Sequence, residues 1–160
     1  MIETQIYAAF CGTGKTYLIH NKFSASAIEF ECWKYQTPRF PVNYVYDIMC
    51  ELGVYEMIFI STNPIALKVL KYFGASINLV YPDSSLKSEY MERYRKRKSD
   101  ENFINILNTY WDIWLTELKQ LNYCQHFVLK KEQYLSDIIN INSNKHEIEK
   151  IQNRYKKILR

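Results

Sequence analysis

The chain predicts an α/β fold built on a parallel sheet. Three observations carry that expectation. Five short strand-like runs recur along its 160 residues. Between them lie segments with the apolar spacing or the capping residues of helices, so strand and helix alternate. The first run, residues 5–10, also leads straight into Cys11-Gly12-Thr13-Gly14-Lys15-Thr16, a glycine-rich turn of the kind that joins a strand to a helix around a phosphate. Crossovers between parallel strands are right-handed, and ligands of such sheets sit beyond the carboxyl ends of the strands. Candidate site residues are therefore sought at 9–16, 29–35, 61–63, 81–97 and 129–133.

The elements follow in order. Residues 16–23 continue the loop as a helix whose N-terminus faces the anion. Residues 27–33 alternate in character and suggest a second strand. Pro38 and Pro41 mark a connector, after which Asn43 is the expected N-cap of a helix reaching Leu52 and closed by Gly53. Residues 55–61 read as a third, buried strand. Thr62-Asn63-Pro64 then opens a helix that runs to Phe73 and stops at Gly74. Residues 76–81 form a fourth strand, ended by Pro82-Asp83. Ser84 or Ser85 is expected to cap a charged helix from Leu86 to Lys98. Asp100 caps the next, which reaches Leu121 and carries Phe103, Ile106, Leu107, Trp111, Trp114, Leu115 and Leu118 at helical spacing. Residues 126–129 are a fifth strand and 132–140 a short helix. A terminal helix shows Ile148, Ile151, Tyr155 and Ile158 as a stripe.

Length and composition bound the rest. One domain, residues 1–142, is expected, followed by a basic segment, 143–160. With 48% apolar residues there is material for a core. No apolar run reaches the length of a membrane span, and no basic-then-apolar leader with a small-residue cleavage site opens the chain, so a cytoplasmic location without membrane partners is expected. The four cysteines are dispersed and lack metal-ligand or disulfide-framework spacing. Cys11 lies inside the loop, where neighbouring amides and Lys15 could lower its thiol pKa, but the expected reading is a loop filler that happens to be oxidisable. In the tail, Lys145, Lys150, Arg154, Lys156, Lys157 and Arg160 oppose Glu147 and Glu149, which accounts for the whole formal charge of +4. A solvated helix face is the expected use of that charge, and nucleic acid is not an expected partner.

Two stretches point to chemistry. In the pattern G-x-x-x-x-G-K-[ST], glycines let consecutive backbone N–H groups curl around a phosphate, the lysine reaches the β/γ-phosphates, and the hydroxyl holds Mg²⁺. Gly12, Thr13, Gly14, Lys15 and Thr16 fill it, so ATP and Mg²⁺ are the expected ligands, with Thr16 on the metal. Position 9, the first glycine of the pattern, is Ala, which disfavours positive φ and is expected to alter the angle of entry. The second stretch, 81–97, carries Arg93 and Arg97 four apart on one helical face, with Arg95 pointing elsewhere. Phosphoryl transfer is catalysed by positioning and by cations, a task suited to arginine. A basic helix at about 83–100 is therefore expected to act as a lid.

These motifs resemble the nucleoside-monophosphate-kinase-like group of P-loop kinases, in particular the small kinase-like proteins of bacteriophages. The resemblance rests on Gly12–Thr16, on Ile58-Phe59-Ile60-Ser61-Thr62, and on Val80-Tyr81-Pro82-Asp83 followed by Leu86 and the Arg93–Arg97 cluster. It implies a three-layer α/β/α P-loop NTPase fold with a five-stranded parallel sheet and a helical lid. It further implies a phosphotransferase that passes the γ-phosphoryl of ATP to a nucleoside or deoxynucleoside monophosphate, in the host cytoplasm if phage-encoded. Lys15, Arg93 and Arg97 become the catalytic cations. Acidic residues after the second strand contact the acceptor or the water shell of Mg²⁺ in related kinases; Glu31 is preferred over Glu29 because it lies nearer the strand end. Arg39 and Arg95 are candidates for the acceptor phosphate, and Trp33, Tyr35 or Phe40 for stacking on a base. Ser61 stands where many such enzymes have an aspartate for Mg²⁺. The alternatives are a kinase of hydroxyl acceptors, with Glu29 or Glu31 as base, and a phage protein that binds nucleotides with little catalysis. A monomer or homodimer is expected.

Overall fold

The computed structural model describes residues 2–139. Five strands, β1 (Gln5–Ala9), β2 (Ala27–Phe30), β3 (Met57–Ile60), β4 (Ile77–Pro82) and β5 (Gln125–Leu129), pair in parallel in the order β2-β3-β1-β4-β5. Helices α1 (Lys15–Asn21), α2 (Val42–Cys50), α3 (Pro64–Tyr72), α4 (Lys87–Lys96) and α5 (Glu101–Lys119) make the connections, and residues 135–139 are also helical. The expected α/β architecture with five parallel strands is present. The basic segment 143–160 lies outside the described residues.

Side chains alternate across the sheet, and each set finds its own layer. Ile6 and Ala8 of β1 join Ile58, Ile60, Ile77 and Leu79 in a cluster covered by α2 to α5. Tyr7 and Ala9 face the other way with Phe59 and Val80, covered by Leu18 of α1 and by Leu135 and Ile138. Helices on both faces are compatible with three layers. Strands β3 and β4 are buried along their whole length, β4 including Asn78, whose amide donates to the Ile6 carbonyl, whereas the edge strand β5 is buried only at Leu129.

Helix α5 is fixed over the end of β1 by Trp111. That side chain is fully buried, meets Phe10 edge-on at 5.5 Å, and donates its indole N–H to the Ser84 carbonyl at 3.0 Å. Truncating such a residue typically costs about 3–5 kcal/mol. Asp100 caps α5 as expected, accepting from the N–H groups of Asn102 and Phe103. Asn63 does the same for α3 through Ile65 and Ala66.

Several boundaries differ. Strand β2 stops at Phe30, because Cys32–Tyr35 form a 3-10 turn where a longer strand is expected. Pro41, after a cis Phe40–Pro41 bond, occupies the N-cap of α2; Asn43 lies inside the helix and donates from Nδ2 to Thr37. Asp83 caps a 3-10 turn at Ser84–Leu86 and α4 begins only at Lys87, so neither serine is the cap. Ile106 is exposed, and Ile104 takes the core position beside Leu107.

Candidate functional site

Strand β1 lies in the middle of the sheet and delivers the loop 10–14 to its carboxyl edge. Two turns there demand positive φ, and glycine supplies both: Gly12 at 80° and Gly14 at 105°. Ala9 is the last residue of β1 and its backbone is extended. Glycine at that position is therefore not required, and the expected cost of alanine does not arise. The loop is braced from inside by Thr13, whose buried hydroxyl donates to the Phe10 carbonyl at 2.7 Å. From outside, Leu135 donates its N–H to the Thr13 carbonyl at 2.9 Å, and the Tyr94 hydroxyl donates to the Cys11 carbonyl at 2.8 Å. Thr13 is thus a brace; its side chain faces the loop's interior.

Lys15 and Thr16 open α1. The Lys15 ammonium donates to the Ala9 carbonyl at 2.7 Å and to that of Phe10 at 3.5 Å. An ammonium has three donors, so one remains for an anion. The Thr16 hydroxyl is exposed and donates to Oε2 of Glu29 at 3.2 Å. Glu29 is on the α1 face of β2, with Ala27, in line with the period of two. Its other oxygen, Oε1, is buried without a hydrogen-bond partner. Burial pushes the Glu29 carboxyl above its ordinary 4.5, against the pull of Lys15. An unpartnered buried carboxylate oxygen beside a hydroxyl fits Mg²⁺, which is held by one or two carboxylates with the rest of its shell left to water and phosphates. Of the two acidic candidates, Glu29 is the one bonded to Thr16.

Glu31 lies two residues further along, just past the end of β2. Its Oε2 accepts from the Trp33 indole at 2.9 Å and from Lys34 at 3.1 Å. Ser61, just past β3, ties strand ends together: its hydroxyl accepts from the Cys32 N–H, and its own N–H donates to the Tyr44 hydroxyl.

Arg93 is nearly buried. Its guanidinium lies over the rings of Tyr90 (4.5 Å) and Tyr134 (4.3 Å), pairs with Glu89, and donates to the Gly12 carbonyl at 3.4 Å. Arg97 lies over the Tyr94 ring at 4.9 Å and donates to the Ser99 hydroxyl, with its side chain exposed. Arg95 and Arg39 are exposed, and neither lines the cleft beside the loop. In this structure the helix expected as a lid is packed against the loop. Tyr90, Met91 and Tyr94 of α4 are buried in the core, which ties the helix to the loop in this arrangement. Burial raises the Cys11 thiol pKa, and the opposing charge of Lys15 is the smaller effect, which disfavours an activated thiol and agrees with a loop filler.

Beyond the loop opens a cleft of about 340 Å³. Ala9, Phe10 and Cys11 line it together with Trp33 on one side and Phe103 and Trp114 of α5 on another. Trp114 stacks on Tyr110, with rings 5.6 Å apart and 15° from parallel.

No protein-family model matches this chain, and no curated protein matches it significantly. The site therefore has to be read from its own chemistry. It offers an ammonium with a spare donor, backbone turns open to an anion, a hydroxyl–carboxylate pair suited to a hard cation, and an adjoining apolar cleft. The aromatic partners of Arg93 were the residues least visible in the sequence. Glu29 was a candidate beside Glu31, ranked second because it lies further from the strand end. Tyr134 follows β5 by a few residues, but its pairing with Arg93 exists only in three dimensions.

Proposed function

We propose that this chain is an ATP- and Mg²⁺-dependent phosphotransferase, a kinase that passes the γ-phosphoryl group to a small acceptor held in the cleft. The observation that carries this reading is the convergence of Lys15, Thr16 and Glu29, with its unpartnered Oε1, at the carboxyl edge of the sheet. Thr16 and Glu29 would hold Mg²⁺, which supplies neutralising charge at the phosphate oxygens. The spare donor of Lys15 and the amides of the loop would bind the triphosphate and orient it toward the cleft. Arg97, exposed and resting on the Tyr94 ring beside the loop, would meet charge that develops on the transferring group. Arg93, held between two rings and a loop carbonyl, positions the loop. Phosphoryl transfer passes through a loose transition state, so such positioning and charge neutralisation are the main work asked of the protein.

Turnover in a coupled ADP-release assay, run across nucleosides, nucleoside monophosphates and polyols, tests the reading. Magnesium-dependent ADP release with at least one acceptor, lost in Lys15→Ala, is the expected result. Full activity retained in Lys15→Ala would remove it.

A further inference from the structure

We propose that the cleft beside the loop binds the flat, uncharged ring system of a nucleoside that presents a hydroxyl, and that it rejects the corresponding monophosphate. This rests on the phosphotransferase reading above and names its acceptor. It also departs from the monophosphate suggested by family resemblance.

The charges around the cleft carry the inference. Among the described residues, Lys15 is the only cation that lines it, and its spare donor faces the same triphosphate that the loop would hold. Arginine, the residue suited to two-pronged recognition of a phosphate, is absent from the lining. Glu117 lines the cleft instead, and Glu31 is bonded to the indole of cleft-lining Trp33. Glu31 is already paired with Lys34, so a phosphate dianion placed there would meet the Glu117 carboxylate with no guanidinium among the described lining residues to offset it. Aromatic surface is plentiful: Trp33, exposed at 63%, and Trp114 and Phe103 on α5 give a ring faces on which to stack. Specificity for a base edge has a donor available, because Asn63 uses its Oδ1 to cap α3 and its Nδ2 is not engaged there. A cleft of about 340 Å³ falls in the range of small-ligand sites.

The step is balanced without a further reactant. The nucleoside oxygen forms a bond to the γ-phosphorus, the bond from that phosphorus to the β–γ bridging oxygen breaks, and ADP leaves with the electron pair. The hydroxyl proton passes to water at the open mouth. A loose transition state asks little of a base, so a hydroxyl acceptor is compatible with the site.

Tryptophan fluorescence reads the test directly. The full chain, saturated with a non-hydrolysable ATP analogue and Mg²⁺, is titrated with each of the common nucleosides and with its 5′-monophosphate. At least one nucleoside should quench saturably, with its monophosphate binding at least about 10-fold more weakly. Trp33→Ala, an exposed position whose melting temperature serves as the folding control, should weaken that nucleoside by about 10-fold, the usual effect of losing one stacking ring. Glu117→Arg should narrow the gap by tightening the monophosphate. A monophosphate that binds as tightly as its nucleoside, or an analogue-saturated protein that binds neither, would overturn the inference and leave the phosphotransferase reading standing. A protein that fails to bind the analogue at all would instead overturn that reading, and this inference with it.

Discussion

Replacing Gly12 by alanine probes the loop where it is most tightly held. The backbone there is at φ 80°, and a Cβ built on it would lie 2.8 Å from Cε1 of Tyr94. That ring cannot step aside easily. It is fully buried, its hydroxyl is bonded to the Cys11 carbonyl, and it meets Tyr90 and Phe103 edge-on. Left-handed backbone costs a non-glycine residue about 1–2 kcal/mol. Overpacking a rigid site adds about 1–3 kcal/mol. The sum, about 2–5 kcal/mol, is a large share of the stability of a domain this size. Gly14→Ala is the built-in control: at φ 105° it carries the backbone strain, but its nearest neighbour, Cδ1 of Tyr134, is an ordinary 3.7 Å away. Urea unfolding of both variants should show Gly12→Ala less stable than Gly14→Ala by about 1–3 kcal/mol. Equal losses in the two would refute the close approach of α4 to the loop.

The remaining predictions concern charge. Glu29 has its pKa raised by burial, so above 4.5 the folded form keeps a proton that the unfolded chain has released. Ligand-free stability should therefore fall as pH rises through that window. Glu29→Gln should flatten this slope in pH-dependent urea melts while weakening Mg²⁺-dependent nucleotide binding; a slope that persists would reassign the carboxylate. Arg93→Ala removes two ring contacts and a loop hydrogen bond from a side chain only 15% exposed, and should cost about 1–3 kcal/mol in stability. Arg97→Ala, at an exposed position, should leave stability nearly intact yet lower turnover more than nucleotide affinity. Unchanged kinetics in both would make α4 a plain structural wall.

Much of the fold was legible because each element announces itself locally. Met57–Ile60 is an unbroken apolar run and Ile77–Pro82 is apolar but for Asn78, the pattern of strands buried on both faces, and Asp100 and Asn63 are caps with a mechanism. What misled were local signals overridden by tertiary context. Asn43 looks like a cap, but Pro41 closes the turn first, and its side chain is used by Thr37. Period two placed Glu29 and Glu31 together, yet the chain leaves the sheet at Phe30 and Glu31 turns to Trp33 and Lys34. The loop itself was legible down to Lys15 and Thr16. Whether Ala9 mattered was not, since the answer depends on a dihedral angle that the extended end of β1 sets. The arginines were found by spacing on a helix, but spacing could not say that Tyr90 and Tyr134 hold one of them.

Calorimetric titration of the protein with a non-hydrolysable ATP analogue, with and without Mg²⁺, puts the central claim to its most direct trial. Saturable one-to-one binding that strengthens with Mg²⁺ and disappears in Lys15→Ala is the predicted result. Heat of binding that survives intact in Lys15→Ala, or none in the unmodified chain, would contradict it.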